Sequence, residues 1–412
     1  MRGDFLLIAI PDPVWHLLKV LGKHGHEAYI VGGCVRDSLM GRRPSDWDIA
    51  TSAYPNEIKT CFPRTFDTGI AHGTVTVVYG GKNYEITTFR LDGKYEDGRH
   101  PTSVSFTRSL EDDLARRDFT MNALAWHPES GLIDPFGGQK DIENRLIRGV
   151  GNPNLRFKED ALRMMRAVRF SSQLNFNISP ETLSAIKDNA VGLKQISAER
   201  VRDELTKMLL SPHPEKFLLL LETKLIQTGW PIPLKPDENE IRNSIGILSE
   251  CPKKVILAYA VLLYERGPED AYGVMNALRF SKVICRETSL LVKWAKHILV
   301  NQDYPLRKYL SLCGVSYFQD ILTLKQLMKT KDYGLLPLIK ERYDRIVENG
   351  DCLSIRDLQI TGNDLLEMGL SGKAVGEALE YLLDMVLRNP SQNEKLALCD
   401  LVNQNEFLRK SK

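Results

Sequence analysis

Residues 28–51 read Ala28-Tyr29-Ile30-Val31-Gly32-Gly33-Cys34-Val35-Arg36-Asp37-Ser38-Leu39-Met40-Gly41-Arg42-Arg43-Pro44-Ser45-Asp46-Trp47-Asp48-Ile49-Ala50-Thr51. The apolar, β-prone run Ala28 to Val31 ends at a glycine pair, and Cys34 to Met40 can form a helix. A strand, a glycine pair and a helix N-terminus make an anion site, because unpaired backbone N–H groups and the positive helix end face the ligand. Gly33 and Arg36, the latter one turn inside the helix, are the candidate phosphate binders. Asp46 and Asp48 follow. In extended chain, residues two apart point the same way, so both carboxylates meet one region of space. Two carboxylates plus substrate phosphates suit Mg²⁺, which prefers hard oxygen ligands, better than zinc. Each piece has a plainer reading, a loop for D-x-D and a simple turn for Gly-Gly. Their order within about twenty residues favours nucleotidyl transfer.

Composition bounds the answer without deciding it. A chain of 412 residues can bury substantial cores and divides into two or more units. Its net charge of +2 is too small to signal nucleic-acid binding, so RNA contact must come from local patches. Seven scattered cysteines without a C-x-x-C pair point to a reducing compartment and away from structural zinc. Phe5 to Ile10 is too short for a signal segment, and no run approaches membrane-spanning length. The expectation is a cytoplasmic protein with no membrane partner.

The character of the chain changes near residue 155. Before it, short β-prone runs alternate with short helical stretches. Thr74 to Tyr79, then Gly80-Gly81, then Lys82 to Phe89 reads as a β-hairpin, since two glycines supply the positive φ angles of a tight turn. After it, Glu215 to Leu221, Val255 to Tyr264, Leu290 to Val300 and Tyr317 to Met328 carry apolar residues at helical density. The fold class is therefore α+β: a head with a mixed β-sheet, followed by an all-helical remainder. The boundaries expected are 1–150 for the head, 151–211 for a helical neck, 212–350 for a body and 351–412 for a tail.

In this order, G-G-x-V-R-D and D-x-D-I-A-T resemble the head of the polymerase-beta-like nucleotidyltransferases. More narrowly, they are similar to the class II tRNA nucleotidyltransferase and bacterial poly(A) polymerase family. Further stretches are similar in the same order: His72 to Val77, Tyr84 to Arg90, the loop Asp92 to Arg99, Arg116 to Ala123, Ile133 to Gly138, and Glu159 to Phe170. The resemblance implies a two-metal, template-independent addition of C, C and A to the tRNA 3′ end from CTP and ATP, with Mg²⁺ as cofactor and pyrophosphate as product. It implies Glu85 as a third catalytic carboxylate beside Asp46 and Asp48; a surface glutamate is the plainer alternative. Arg117 and Asp118 would bind phosphate and ribose, or else form a capping or ion pair after the acidic helix Leu110 to Ala115. The complete-looking loop Asp92 to Arg99 favours full CCA addition over CC addition. A-adding enzymes and poly(A) polymerases share the head motifs and stay open, as do monomer and homodimer.

The expected helix from Phe157 to Phe170 carries the choice of base. Asp160 and Arg163 are three apart and so neighbours on one helical face, and Arg166 and Arg169 continue the spacing. Three arginines in such a row repel, so an anion or carboxylates should face them. A carboxylate accepts and a guanidinium donates. Cytosine and adenine both offer an amine beside a ring-nitrogen acceptor and fit that pair; uracil and guanine present the reverse and clash. A plain exposed salt bridge is the alternative. Arg200, Arg202 and Lys207 should sit on a helix beside the same site, capped by Ser197. Ile360 to Leu366, with Gly369, Gly372-Lys373 and Gly376, resembles the tail that grips the tRNA elbow; ordinary helix stops are the alternative.

Two other classes compete: a small-molecule nucleotidyltransferase, which would not need the Asp160–Arg163 reader, and a non-catalytic RNA-binding protein, against which Asp46, Asp48, Gly33 and Arg36 argue.

Overall fold

The computed structural model describes residues 8–93, 104–229 and 237–405. Expectations that fall on Lys94 to Arg99, most of the loop, lie outside them. The chain forms two compact units, one of Met1–Ser249 with Ala277–Phe280 and one of Glu250–Asn276 with Ser281–Lys412.

The first unit opens with α1 (Asp12–Lys23), β1 (Ala28–Val31), α2 (Gly33–Leu39), β2 (Ile49–Thr51), α3 (Pro55–Cys61), β3 (Thr65–Gly69), β4 (Thr74–Tyr79) and β5 (Lys82–Thr88). A two-stranded ribbon, β6 (Arg90–Asp92) and β7 (Val104–Phe106), precedes α4 (Leu110–Ala115), β8 (Ala125–His127) and β9 (Gly131–Ile133). Seven strands pair in the order β3-β4-β5-β2-β1-β8-β9. The β2–β5 pair is parallel and the others antiparallel, so the sheet is mixed. Gly80 and Gly81, at φ 57° and 75°, close the β4–β5 hairpin as anticipated. The sheet buries Val31, Ala50, Phe89 and Ala125 together with Leu114 of α4.

Asp46 and Asp48 lead into β2 rather than lie within it. The Val31 N–H nevertheless donates to the Asp48 carbonyl (3.0 Å), which carries the extended ladder one residue upstream of Ile49.

Past Pro153 the unit is helical apart from one short strand. The continuous helix expected from Phe157 to Phe170 is two: α5 lies earlier at Gly138–Glu143, then α6 (Pro153–Glu159) and α7 (Leu162–Leu174) meet at Asp160. There the backbone is extended, at φ −142° and ψ 103°. The Asp160 carboxylate accepts the Leu162 N–H (3.0 Å), the local bond by which aspartate competes with helix. Asp160 and Arg163 therefore do not share a helical face. α7 is buried along most of its length and packs against α9 (Ala198–Leu209), with α8 (Pro180–Asn189) between them in sequence. Ser197 occupies the N-cap position of α9, but its hydroxyl makes no capping bond.

The second unit contains nine α-helices among its described residues. The helix expected over Leu290 to Val300 instead runs Lys282–Lys296, with the Ser281 hydroxyl capping its start and extended backbone at His297 ending it. One core gathers Leu365, Ala378, Leu382, Val386, Leu398 and Val402. No helix among the described residues is long and apolar enough to cross a membrane.

Candidate active site

Gly32 ends β1 and opens α2. Its φ is 78°, in the left-handed region, and a Cβ there would stand 2.7 Å from Arg117 Nη1. Only glycine meets both demands. Gly33 is less constrained, since its Cβ would meet just Arg36 Nη2 at 3.7 Å. The close approach sought in the glycine pair belongs to Gly32.

Arg36 is buried and points back into the protein. Its Nη1 donates to Asn122 Oδ1 (2.6 Å), its Nε donates to Asp37 Oδ1 (2.9 Å), and its guanidinium lies 5.1 Å from the centre of the Phe170 ring. Asn122 in turn donates from Nδ2 to Asp118 Oδ1 (3.0 Å). Arg166 donates from Nε and Nη2 to Asp118 Oδ2 at 2.8 and 2.5 Å. A chain of bonds thus runs from α2 through Asn122 and Asp118 to α7. Burial opposes ionisation of Asp118, but Arg166 and Asn122 outweigh it and take its carboxyl down to about 2. Asn122 had no assigned role; its signal was its place four residues after Asp118.

Arg117 bonds Asp113 Oδ2 through Nη2 (3.3 Å). Its Nε is buried with no hydrogen-bond partner among the described residues. The same guanidinium packs its Nη1 against Gly32, so an unpartnered buried donor belongs to the group that flanks the glycine turn.

Carboxylates, not an empty anion pocket, face the arginine row. Arg163 pairs with Glu159 at the end of α6 (2.7 Å), Arg166 with Asp118 and Arg169 with Glu204 of α9 (2.6 Å), so none of the three carboxylates lies on α7 itself. The Arg169 guanidinium also sits 3.8 Å from the Phe170 ring centre. Asp160 is held by Arg200 of α9, at 3.3 Å to Oδ1 and 2.7 Å to Oδ2. So Asp160 and Arg163 are brought to one junction but are not paired with each other. Arg163 Nη2 also donates to the Arg116 carbonyl (3.0 Å), anchoring α7 on the end of α4.

Asp46, Asp48 and Glu85 line a cleft of about 1640 Å³. The parallel register Ile49↔Ile86 sets Asp48, the residue just ahead of β2, level with Glu85 on β5. Asp48 keeps solvent contact, yet the surrounding protein withdraws enough water to push its carboxyl up. Glu85 and Asp46 push it further the same way, and Arg117 pulls it down. Asp46 accepts a bond from Ser45 Oγ (2.9 Å). Among the described residues no three His, Cys, Asp or Glu side chains converge tightly enough to hold a metal alone. The donor set nonetheless fits a hard divalent cation: crowded carboxylate oxygens, no nitrogen or sulfur, and room for phosphate and water oxygens to complete the shell.

Three family models match the chain. The poly A polymerase head domain covers residues 28–148, "Probable RNA and SrmB-binding site of polymerase A" covers 175–232, and tRNA nucleotidyltransferase domain 2 covers 252–402. The CCA-adding enzyme of Lactobacillus helveticus is 54% identical over 402 residues, 96% of each chain. That of Ligilactobacillus salivarius is 40% identical over 97% of this chain and 96% of its own. The Bacillus stearothermophilus CCA-adding enzyme, solved with CTP, superposes with a TM-score of 0.81 at 33% identity, covering all of both chains.

Proposed function

The chain belongs to the CCA-adding enzyme family, and on that premise we propose that it adds C, C and A to the 3′ end of tRNA from CTP and ATP without a template, releasing pyrophosphate. The observation that carries this reading over A-only addition, CC-only addition or poly(A) synthesis is the similarity to CCA-adding enzymes across 96% of the chain, head to tail.

In this reading residues 1–150 are the catalytic head, 151–211 the neck that reads the base, 212–350 the body and 351–412 the tail on tRNA. Asp46 and Asp48, with Glu85 beside them, would hold Mg²⁺, which when bound neutralises phosphate charge and makes the RNA 3′-hydroxyl a better nucleophile. Arg117, whose guanidinium packs against Gly32, donates to the triphosphate, with Gly33 and Arg36 on the helix that Gly32 opens. Asp118 accepts from the ribose and is kept ionised by Arg166. Arg166 and Arg169 hold the site's shape through their carboxylates.

Asp160 and Arg163 read the base. Arg200 fixes the Asp160 carboxylate in place and leaves it lone pairs for an exocyclic amine. Arg163 commits three N–H bonds within the protein and has no bond from Nε among the described residues, which leaves that N–H for a ring-nitrogen acceptor. The seven free cysteines support a cytoplasmic enzyme.

The test is incorporation. Pure protein, Mg²⁺, each labelled nucleotide and tRNA transcripts ending at the discriminator base, at C and at CC should yield C, C, then A. Label from UTP, or no RNA labelling, would overturn the reading. ATP added only after CC would indicate an A-adding enzyme, and a long A tail a poly(A) polymerase.

A further inference from the structure

The hydrogen bonds that reach Asp118 trace back to one aromatic ring. Phe170, on α7 and 5% exposed, carries three guanidiniums: that of Arg169 lies 3.8 Å from the ring centre, that of Arg36 5.1 Å and that of Arg166 5.4 Å. Phe119 meets the same ring edge-on, at 5.9 Å and 86°. Arg36 donates to Asn122, which donates to Asp118; Arg166 donates to Asp118 directly, and Phe119 supplies its backbone N–H. Every one of these donors either belongs to a residue packed on Phe170 or is held by one.

We infer that Phe170 is a positioning residue for the sugar of the incoming nucleotide: its π face gathers the guanidiniums that fix Asp118, and so sets how firmly the site grips the ribose 2′-hydroxyl. The inference rests on the proposed role of Asp118 at the ribose and names the group that stands behind it.

The physical need is charge crowding. Arg36, Arg166 and Arg169 meet around one ring, and like charges repel. Each has a carboxylate beside it, Asp37, Asp118 and Glu204, but these come from three different parts of the chain and do not bring the three cations together. Phe170 is a group that all three share. The face of an aromatic ring is negative, so cations gain by approaching it, most of all where water is excluded. Phe170, Arg36 and Arg169 are all buried, which places these contacts in that stronger regime. A leucine would fill much of the same space and offer no such face. Arg36 stands on α2, the helix that Gly32 opens, and Arg166 and Arg169 stand on α7, so the ring also joins those two helices across Asp118.

Replacing Phe170 with mono-, di- and trifluorophenylalanine tests the inference, because each fluorine drains negative charge from the ring face while the shape stays nearly constant. Titration calorimetry of the full-length protein with CTP and with dCTP, both with Mg²⁺, reads the result. The preference for CTP over dCTP should fall stepwise along the series. Phe170→Leu should lower that preference about tenfold through a rise in the CTP Kd, with the dCTP Kd held within about twofold. A ring that only packs would shift the melting temperature and both nucleotides alike. A CTP-to-dCTP ratio that stays constant along the series, or no such preference in the unaltered protein, would overturn the inference. Should Phe170→Leu fail to fold, the fluorinated series, which keeps the ring in place, still decides it. Should the unaltered protein prefer CTP but add no nucleotide to tRNA, the transfer reaction falls, and the binding series still decides the role of the ring.

Discussion

Asp118 ties α7 to the chain ahead of it: it accepts from the Phe119 N–H, from Asn122 and twice from Arg166. Its carboxyl is held at about 2 in the folded protein, below the unfolded value near 3.8. A depressed carboxyl stabilises the fold above its unfolded pKa and loses that contribution as pH falls through the folded one. Asp118→Asn should therefore cost about 2 kcal/mol at neutral pH. The difference from the parent protein should shrink as pH drops from about 4 to about 2; denaturant unfolding across that range measures it. A gap that stayed constant with pH would mean the ionised form is not what Arg166 stabilises. At Asp46 and Asp48 the loss is chemical: Asp46→Ala or Asp48→Ala should abolish nucleotide incorporation and leave tRNA binding in place. A gel-shift assay in which binding vanished too would remove these residues from the role of metal ligands. The donor types at each of these positions could be read from residues alone. The bond from Asn122 to Asp118 could not, because it depends on a tight 3₁₀ turn, Thr120–Asn122, that no local pattern announced.

At the scale of the element, the junction of α6 and α7 matters most. Spacing of three predicted a shared helical face for Asp160 and Arg163, and the structure breaks the helix at Asp160. The reason is local competition: an aspartate that bonds the N–H two residues on offers the chain an alternative to helix. The break turns the Asp160 carboxylate to Arg200 and leaves Arg163 to Glu159. Asp160→Ala should remove both the local bond and the Arg200 pair, costing roughly 1–2 kcal/mol. In misincorporation assays it should relax the preference for CTP and ATP over UTP and GTP. Unchanged selectivity would return the junction to a purely structural ion pair. The β4–β5 hairpin was legible for the opposite reason, since two adjacent glycines dictate their turn without help from the rest of the molecule.

For the whole molecule, the head and the tail have separable tasks in the proposed reaction. Lys373 opens the helix Lys373–Arg388 with 91% of its side chain exposed, and among the described residues its one ion pair is with Glu377 one turn on. Such an exposed pair contributes little stability, so charge reversal there leaves the fold intact. Lys373→Glu should weaken full-length tRNA, lowering the slope of log affinity against log salt by about 1, and leave the acceptor-arm minihelix unaffected. Equal weakening of both RNAs would place Lys373 away from the elbow.

The sequence by itself determined the order of motifs, the chemical type of every donor and acceptor, the hairpin and the passage from mixed sheet to helix, because turn chemistry and hydrophobic period are written in contiguous residues. Only the tertiary structure decided the partners. Arg166 finds Asp118, Arg169 finds Glu204 and Arg200 finds Asp160 across 35 to 48 residues of chain, and Arg117 comes to rest within 2.7 Å of where a side chain at Gly32 would begin. A hydrogen bond acts over about 3 Å, so which groups meet is settled by how the elements pack.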